Sequence, residues 1–296
     1  SDADTLLRHA DQAMYVAKRQ GRNRFQYYMP ELQRTANMRL RLANDMHQAL
    51  SHDEFVIHYQ PIVELATGAV CKAEALLRWQ HPTQGMISPD VFIPIAEETG
   101  QIIKIGDWVF EQSARLCAHL RACFYEDFQI SVNKSPVQFR THAIACSNWH
   151  EFLEEHHYPS RSIVVEITEG LLMETREEIS LQLFDLRDKG MQVALDDFGT
   201  GYSSLSYLKK FDIDYIKIDK SFVSNVAKDS SDIVLCEAMI VMAHKLGIKV
   251  IAEGVETPEQ FALLKNIGCD YGQGYFWSKP LPSSDFERFL MPEGTA

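Results

Sequence analysis

From Phe55 onward the chain alternates short apolar runs with amphipathic helical patterns, and this alternation constrains the fold more than any single motif. Strand-like runs fall at 55–63 (FVIHYQPIV), 73–79 (AEALLRW), 129–133 (QISVN), 163–167 (IVVEI), 192–196 (QVALD), 215–219 (YIKID), 249–253 (KVIAE) and 271–276 (YGQGYF). Helical spacing lies between most of them, at 101–121, 176–189, 229–246 and 258–267. Eight strands with helices between them in about 240 residues predict an α/β fold, a (β/α)8 TIM-like barrel. A doubly wound sheet would concentrate its polar signal at one switch point. Here that signal is spread over many strand ends. The first two runs are joined by only about nine residues (ELATGAVCK), too few for a helical crossover, so an antiparallel first strand pair is expected.

Strands of a barrel are buried on both faces, so polar residues alternating within them must point into its mouth. Tyr215, Lys217 and Asp219 share one face, as do Glu74, Leu76 and Arg78, and likewise Ser131, Asn133 and Ser135. Tyr271, Gln273 and Tyr275 alternate with glycine. Acids or amides close five of the runs: Glu74, Asn133, Glu166, the doublet Asp196-Asp197, and Glu253. Asp196 and Asp197 have opposite parity. Both reach one site only if the strand ends at Asp197 and turns, which Gly199 and Gly201 would allow.

Five carboxylates in one small volume, tempered by Lys217 and Arg78, would force some to protonate unless cations are present. With two divalent ions, the acids and Asn133 make an all-oxygen site suited to Mg²⁺ or Mn²⁺. An adjacent aspartate pair is one way to hold two such ions ~3.5–4 Å apart, the arrangement used in phosphate-ester hydrolysis. Without Cys or His nearby, zinc is not expected. Lys217 is buried by parity and reads as a site residue, because an unpaired interior lysine is costly. Arg78 reads as a phosphate clamp or as a partner of Glu74. Gln60, Gln138, Gln273 and Tyr275 stand near strand ends as packing groups or ligand contacts.

The formal charge of −12 argues against duplex nucleic acid as the main partner. A small anionic ligand stays compatible with it if cations supply the local field. Cys71, Cys117, Cys123, Cys146, Cys236 and Cys269 form no CxxC and read as unpaired thiols of a reducing cytosol. No apolar run approaches ~18 residues, and the most hydrophobic stretch, 233–252, is broken by Glu237, His244 and Lys245. Residues 4–19 show helical spacing, QGRNRFQYY reads as a turn into a short strand, and 30–50 reads as a connecting helix. No signal peptide is visible and a cytoplasmic location is expected for this portion; the chain opens mid-pattern without a methionine, so what lies upstream, a membrane anchor included, stays open.

On these motifs the segment 51–291 resembles the EAL family of cyclic-di-GMP phosphodiesterases. The matching stretches are YQPIV (59–63), EALLRW (74–79), FIPIAEETG (92–100), SVNKSP (131–136), EITEG (166–170), DDFGTGYSSLSYL (196–208), IKIDKSFV (216–223), IAEGVET (251–257) and DYGQGYFWSKPLP (270–282). Residues 1–29, with ADQAMY and GRNR, resemble the end of a GGDEF diguanylate cyclase domain, although the GGDEF sequence itself is absent. The resemblance implies a barrel that linearises cyclic-di-GMP to 5′-pGpG with two Mg²⁺ or Mn²⁺ ions. It assigns Glu74, Asn133, Glu166, Asp196 and Asp197 as metal ligands, with Glu253 completing the metal–water shell and Lys217 orienting or polarising the attacking water. Gln60, Arg78, Gln138, Glu256, Gln273 and Tyr275 would face the dinucleotide. Glu169 would hold the loop after Asp197, a loop linked in the family to dimerisation and regulation. A homodimer and upstream GGDEF or sensor domains are the implied partners. Lys134 stands where an apolar residue is usual, and its parity points it away from the metals. The alternative is a catalytically silent module that binds cyclic-di-GMP as a receptor, or binds only a partner. Such modules usually lack metal ligands or the lysine, and none is lost here.

Overall fold

The computed structural model describes residues 2–19, 25, 27, 30–140, 149–173, 177–201, 205–226 and 231–291. Its strands are β1 (Phe55–Glu64), β2 (Val70–His81), β3 (Gly85–Ile87), β4 (Gln129–Asn133), β5 (Ile163–Thr168), β6 (Gln192–Phe198), β7 (Tyr215–Ile218), β8 (Lys249–Glu253), β9 (Tyr271–Gln273) and β10 (Leu281–Pro282). The order β1-β9-β8-β7-β6-β5-β4-β2, closed by β1 against β2, makes an eight-stranded barrel. From β2 through β4 to β9 the neighbours pair in parallel. The expected antiparallel start is present, and β1 runs antiparallel to both β2 and β9. Only residues 65–69 separate the first two strands, which suits a hairpin.

Helices fill the crossovers at Ile102–Cys123, Glu177–Asp188, Ser231–Lys245 and Pro258–Asn266, close to the spans expected from periodicity. Their apolar stripes, with the outward faces of the strands, form the larger core, where Trp79, Phe92, Phe110, Phe128 and Phe286 are buried. A smaller core inside the barrel contains Ile62, Val164, Ala194, Tyr215, Ile251 and Tyr271. None of the described helices is long and apolar enough to cross a membrane.

The strand expected at 271–276 stops at Gln273. Gly274 lies so close to the Val255 backbone that a Cβ there would sit 2.0 Å from the Val255 carbonyl oxygen. Val255 N–H donates to Gln273 O and Phe276 N–H donates back to Val255 O, which bends the chain out of the sheet. Tyr275 is therefore on a rim loop, 57% exposed, rather than on the strand face. The helix expected at 30–50 spans Pro30–Ala49. Its second half is docked: Leu42, Met46 and Ala49 are buried, the Ala43 carbonyl accepts from Gln101 Nε2, and Asp45 pairs with His81. Residues 20–24, including GRNR, lie outside the described residues, as does Cys146. The other five cysteines are free thiols.

Candidate active site and metal centre

At the mouth of the barrel four carboxylates converge on one ammonium group, three from near the C-terminal ends of β5, β6 and β8 and one, Glu74, from within β2. Lys217 on β7 is 1% exposed, and its Nζ lies 2.6 Å from Glu253, 2.8 Å from Glu166, 3.1 Å from Asp196 and 3.2 Å from Glu74. Those acids come from β8, β5, β6 and β2, so the site exists only once the barrel has closed. Strand alternation explains the convergence, because the same inward row that carries Tyr215 lower in the barrel carries Lys217 at its mouth.

Asp197 joins by a different route from the one expected. β6 continues to Phe198, and its register against β7 shifts between Leu195 and Phe198. Asp197 itself adopts φ +53°, a left-handed conformation that aspartate tolerates better than most residues. That local bulge rotates its carboxylate to the side occupied by Asp196. One carboxylate oxygen each from Asp196, Asp197 and Glu253 then lie within 4.8 Å of one another. Beyond the doublet the chain is held by Glu169, a buried acid whose Oε2 accepts from the N–H of Gly199 at 3.2 Å and of Gly201 at 3.3 Å. A Cβ at residue 201 would lie 2.7 Å from the same carboxylate, which would have to shift to accommodate it.

Amides fix the orientation of Glu74. Asn133 Nδ2 donates to its Oε1 at 2.8 Å, and Gln273 Nε2 donates to its Oε2 at 2.7 Å. Gln273 also donates to Gln60 Oε1, and Gln60 in turn donates to the Ser278 carbonyl. Burial alone would push the Glu74 carboxyl up, but Lys217 and these two donors outweigh it and hold it below the usual carboxylate range. Glu166 has no such amides. Burial and the neighbouring Glu74 raise it well above that range, against the pull of Lys217. Burial likewise pushes Glu253 up to about 7, with Asp196 and Glu74 adding repulsion. Asp197 is raised by burial and by Asp196. For Lys217 burial opposes the charge, yet Asp196, Glu166, Glu253 and Glu74 together raise it well above its ordinary value.

One ammonium group does not neutralise this set. Glu166 Oε1 is buried with no hydrogen-bond partner, and Asp196 Oδ1, within ion-pair reach of Lys217, has no aligned donor. Orphaned anionic oxygens beside a tight carboxylate trio fit hard divalent cations, which take oxygen ligands only. Glu74, Asn133, Glu166, Asp196, Asp197 and Glu253 are the groups that would hold them.

Next to this centre lies a cavity of about 270 Å³ between β2, β4 and helix Ile102–Cys123. Arg78, Asn133, Glu166 and Gln138 line it, with Ile93, Ile105 and Val109 as apolar walls. A larger groove of about 560 Å³ along Phe55–Tyr59 contains none of the strand-end acids. Tyr275 and the exposed Glu256 stand on the rim, and the Lys279 ammonium lies 5.4 Å from the centre of the Tyr275 ring. Gln138 is only 2% exposed, and its Oε1 accepts from Ser135 N–H at 3.0 Å while Ser135 Oγ accepts from Val137 N–H at 3.2 Å. It thus caps its own short helix, Pro136–Arg140, as well as lining the cavity. The spacing S-x-x-Q in SPVQ carries that signal in the sequence. Glu97, whose carboxylate accepts from Ser135 Oγ at 2.6 Å, has no such signal and was not anticipated. Lys134 points away from the acids, with its Nζ 4.6 Å from the Trp149 ring centre and 4.7 Å from that of Phe139.

Residues 43–280 match the family model described as EAL domain. The chain is 38% identical over 287 residues to the cyclic di-GMP phosphodiesterase NbdA of Pseudomonas aeruginosa, covering 97% of this chain and 36% of that protein. It is 39% identical over 289 residues to the cyclic di-GMP phosphodiesterase PdeR of Escherichia coli, covering 98% of this chain and 43% of that protein. The chain thus spans well under half the length of these relatives. Among solved structures it is similar to the PaMucR phosphodiesterase in complex with c-di-GMP, at 37% identity and a TM-score of 0.77, with 83% of this chain and 99% of that one covered. With the match running through the barrel and all the strand-end acids, the chain belongs to the EAL domain family.

Proposed function

We propose that this chain hydrolyses cyclic-di-GMP to linear 5′-pGpG in a reaction that requires two Mg²⁺ or Mn²⁺ ions. The observation that carries the reading is the gathering of Glu74, Glu166, Asp196 and Glu253 around Lys217, with orphaned oxygens left over for cations. Bound divalent ions would lower the pKa of a water and offset the charge on the phosphoryl oxygens. Lys217 holds that water by hydrogen bonding and, being fixed by four carboxylates, keeps its proton instead of acting as a base. Glu253, whose carboxylate lies 2.6 Å from Lys217 Nζ, completes the shell around the cations and that water. Arg78 clamps a phosphate from the cavity side, and Gln60, Gln138, Glu256, Gln273 and Tyr275 face or shape the dinucleotide site.

The same reading carries a homodimer. Of the apolar residues that follow the Asp197 loop, Tyr202 and the Leu205 side chain lie outside the described residues, and Leu208 is buried in the larger core. Val234, Leu235 and Val241 on helix Ser231–Lys245 are exposed and are the better candidates for a contact between copies. Residues 1–29 are proposed as the end of an upstream GGDEF domain, and the portion described here as cytoplasmic.

The test is an assay of purified protein with cyclic-di-GMP and Mg²⁺ that separates pGpG from GMP. Conversion to pGpG that stops on chelation and is poorly supported by Ca²⁺ is expected. Tight binding of cyclic-di-GMP without turnover would replace this reading by that of a receptor.

A further inference from the structure

The wall of the site between β4 and helix Pro136–Arg140 is held by a group that belongs to neither element. Ser135 is two residues after Asn133, and Asn133 positions Glu74. The Ser135 hydroxyl donates to Glu97 Oε1 at 2.6 Å and accepts from Val137 N–H at 3.2 Å. Its own N–H donates to Gln138 Oε1 at 3.0 Å. With its proton committed to Glu97, the hydroxyl oxygen presents its lone pairs to Val137, so the carboxylate sets the hydroxyl orientation on which the cap depends. Glu97 comes from helix Pro89–Thr99, whose Phe92, Ile95 and Ala96 are buried, so the acceptor is carried by a rigid support.

We propose that Glu97 is a positioning residue: by orienting Ser135 it fixes the turn after β4, keeps Asn133 in register with Glu74, and so maintains cation affinity. Among the described residues Glu97 makes no hydrogen bond or ion pair to the cluster around Lys217, although it lines the cavity beside it; its hold on the turn runs through the Ser135 hydroxyl. The proposal rests on the hydrolytic reading for its consequence in turnover, but its structural claim is read independently from metal binding.

The experiment is a Mn²⁺ titration, followed by electron paramagnetic resonance of the free ion, on the full chain and on Glu97→Ala, Glu97→Gln, Ser135→Ala and the double variant Glu97→Ala/Ser135→Ala. Loss of a group that orients a metal ligand typically costs 10–100-fold in affinity. Glu97→Ala should weaken Mn²⁺ about tenfold, and Ser135→Ala similarly. The double variant should be no worse than either single one, because the two residues act as one unit. Glu97→Gln keeps an acceptor for the hydroxyl and should stay within about threefold of the parent. Equal losses in the Gln and Ala variants would mean that only the negative charge mattered, and would overturn the proposal. Additive losses, or none in Glu97→Ala, would overturn it too. If Glu97→Ala does not fold, the comparison of Ser135→Ala with Glu97→Gln decides: a loss in the first alone supports the relay, and any other pattern rejects it. A parent that binds Mn²⁺ but does not hydrolyse cyclic-di-GMP would remove the function proposed above and leave this cycle readable.

Discussion

Two lysines are buried inside the same barrel and their surroundings drive them in opposite directions. Lys217, at the mouth, is surrounded by four carboxylates and is raised well above its ordinary value. Lys72, on β2 one inward position below Glu74, meets neutral groups: Gln129 Oε1, the Tyr215 hydroxyl at 3.0 Å, and the faces of Tyr215 and Tyr271. Burial lowers it to about 8. Burial is similar and the residue is the same, so the partners decide the outcome. The lower layer is satisfied by neutral hydrogen bonds and ring faces and needs nothing further. The mouth holds more negative charge than its single lysine can balance, and that imbalance marks the end of the barrel where the proposed chemistry would take place.

The largest effect that would break this contrast is on turnover. Lys217→Ala should lower kcat by roughly 10²–10³-fold, the typical cost of removing one preorganised donor from an active site. Lys72→Met should leave kcat within about threefold and cost about 1–3 kcal/mol of stability, because Gln129 and Tyr215 lose a partner. Thermal unfolding beside a kinetic assay separates the two. A Lys72→Met enzyme as inactive as Lys217→Ala would show that the lower layer is not merely structural.

The next effect divides the mouth itself. Asp196→Asn should reduce hydrolysis about 10²-fold or more and weaken Mn²⁺ binding, whereas Arg78→Ala should act mainly on KM by removing a contact shared by ground and transition states. If Arg78→Ala lowered kcat as much as Asp196→Asn with KM unchanged, Arg78 would belong with the cation ligands.

pH sharpens the comparison further, because the shifts have opposite consequences for stability. Lys72 is depressed when folded, so between about 8 and its unfolded value the unfolded chain binds more protons and stability rises with pH. That gain should be missing in Lys72→Met. Glu253 is raised to about 7, so the folded chain binds the extra proton and metal-free stability falls as pH rises from about 4.5 to 7. Cation affinity should climb over the same window as the proton is released. Denaturant titrations across pH, with and without Mn²⁺, read both trends. Metal-free stability that rises between pH 4.5 and 7 in the parent relative to Glu253→Gln would contradict the Glu253 assignment.

The smallest effect tests the wall. A Cβ on Gly106 would sit 2.4 Å from Gln138 Nε2. Gly106→Ala should therefore displace Gln138 from its cap on Ser135, costing about 1–3 kcal/mol, and raise KM by a few fold. Unchanged stability and KM would show that Gln138 moves aside freely.

The strands and their terminal acids were legible because a barrel strand must be apolar on both faces, which makes a lone inward Glu166 or Lys217 conspicuous. The convergence of Asp196 and Asp197 was anticipated, its cause only in part. Asp197 adopts the left-handed conformation itself, Gly199 follows at φ +99° as the turn requires, and the N–H groups of Gly199 and Gly201 also bind Glu169. The alternation of Tyr271, Gln273 and Tyr275 with glycine imitates the period of two that marks a strand, yet Tyr275 lies beyond the end of β9. The close packing of Gly274 against Val255, which ends β9, is a tertiary fact that no local pattern contains. Apolar periodicity does not single out helix Pro89–Thr99, although Ser88-Pro89-Asp90 stands at its start and Gly100, with φ +73°, at its end. Missing that helix concealed Glu97, since its partner Ser135 lies 38 residues away in the chain.

The most direct test of the account is a metal titration of the metal-free chain, monitored by calorimetry with Mn²⁺, for the parent, Asp196→Asn and Lys72→Met. The account predicts two ions bound by the parent and by Lys72→Met, with affinity lost by at least tenfold in Asp196→Asn. Mn²⁺ bound by Asp196→Asn as tightly as by the parent, or cyclic-di-GMP cleaved by the parent after complete chelation, would contradict it.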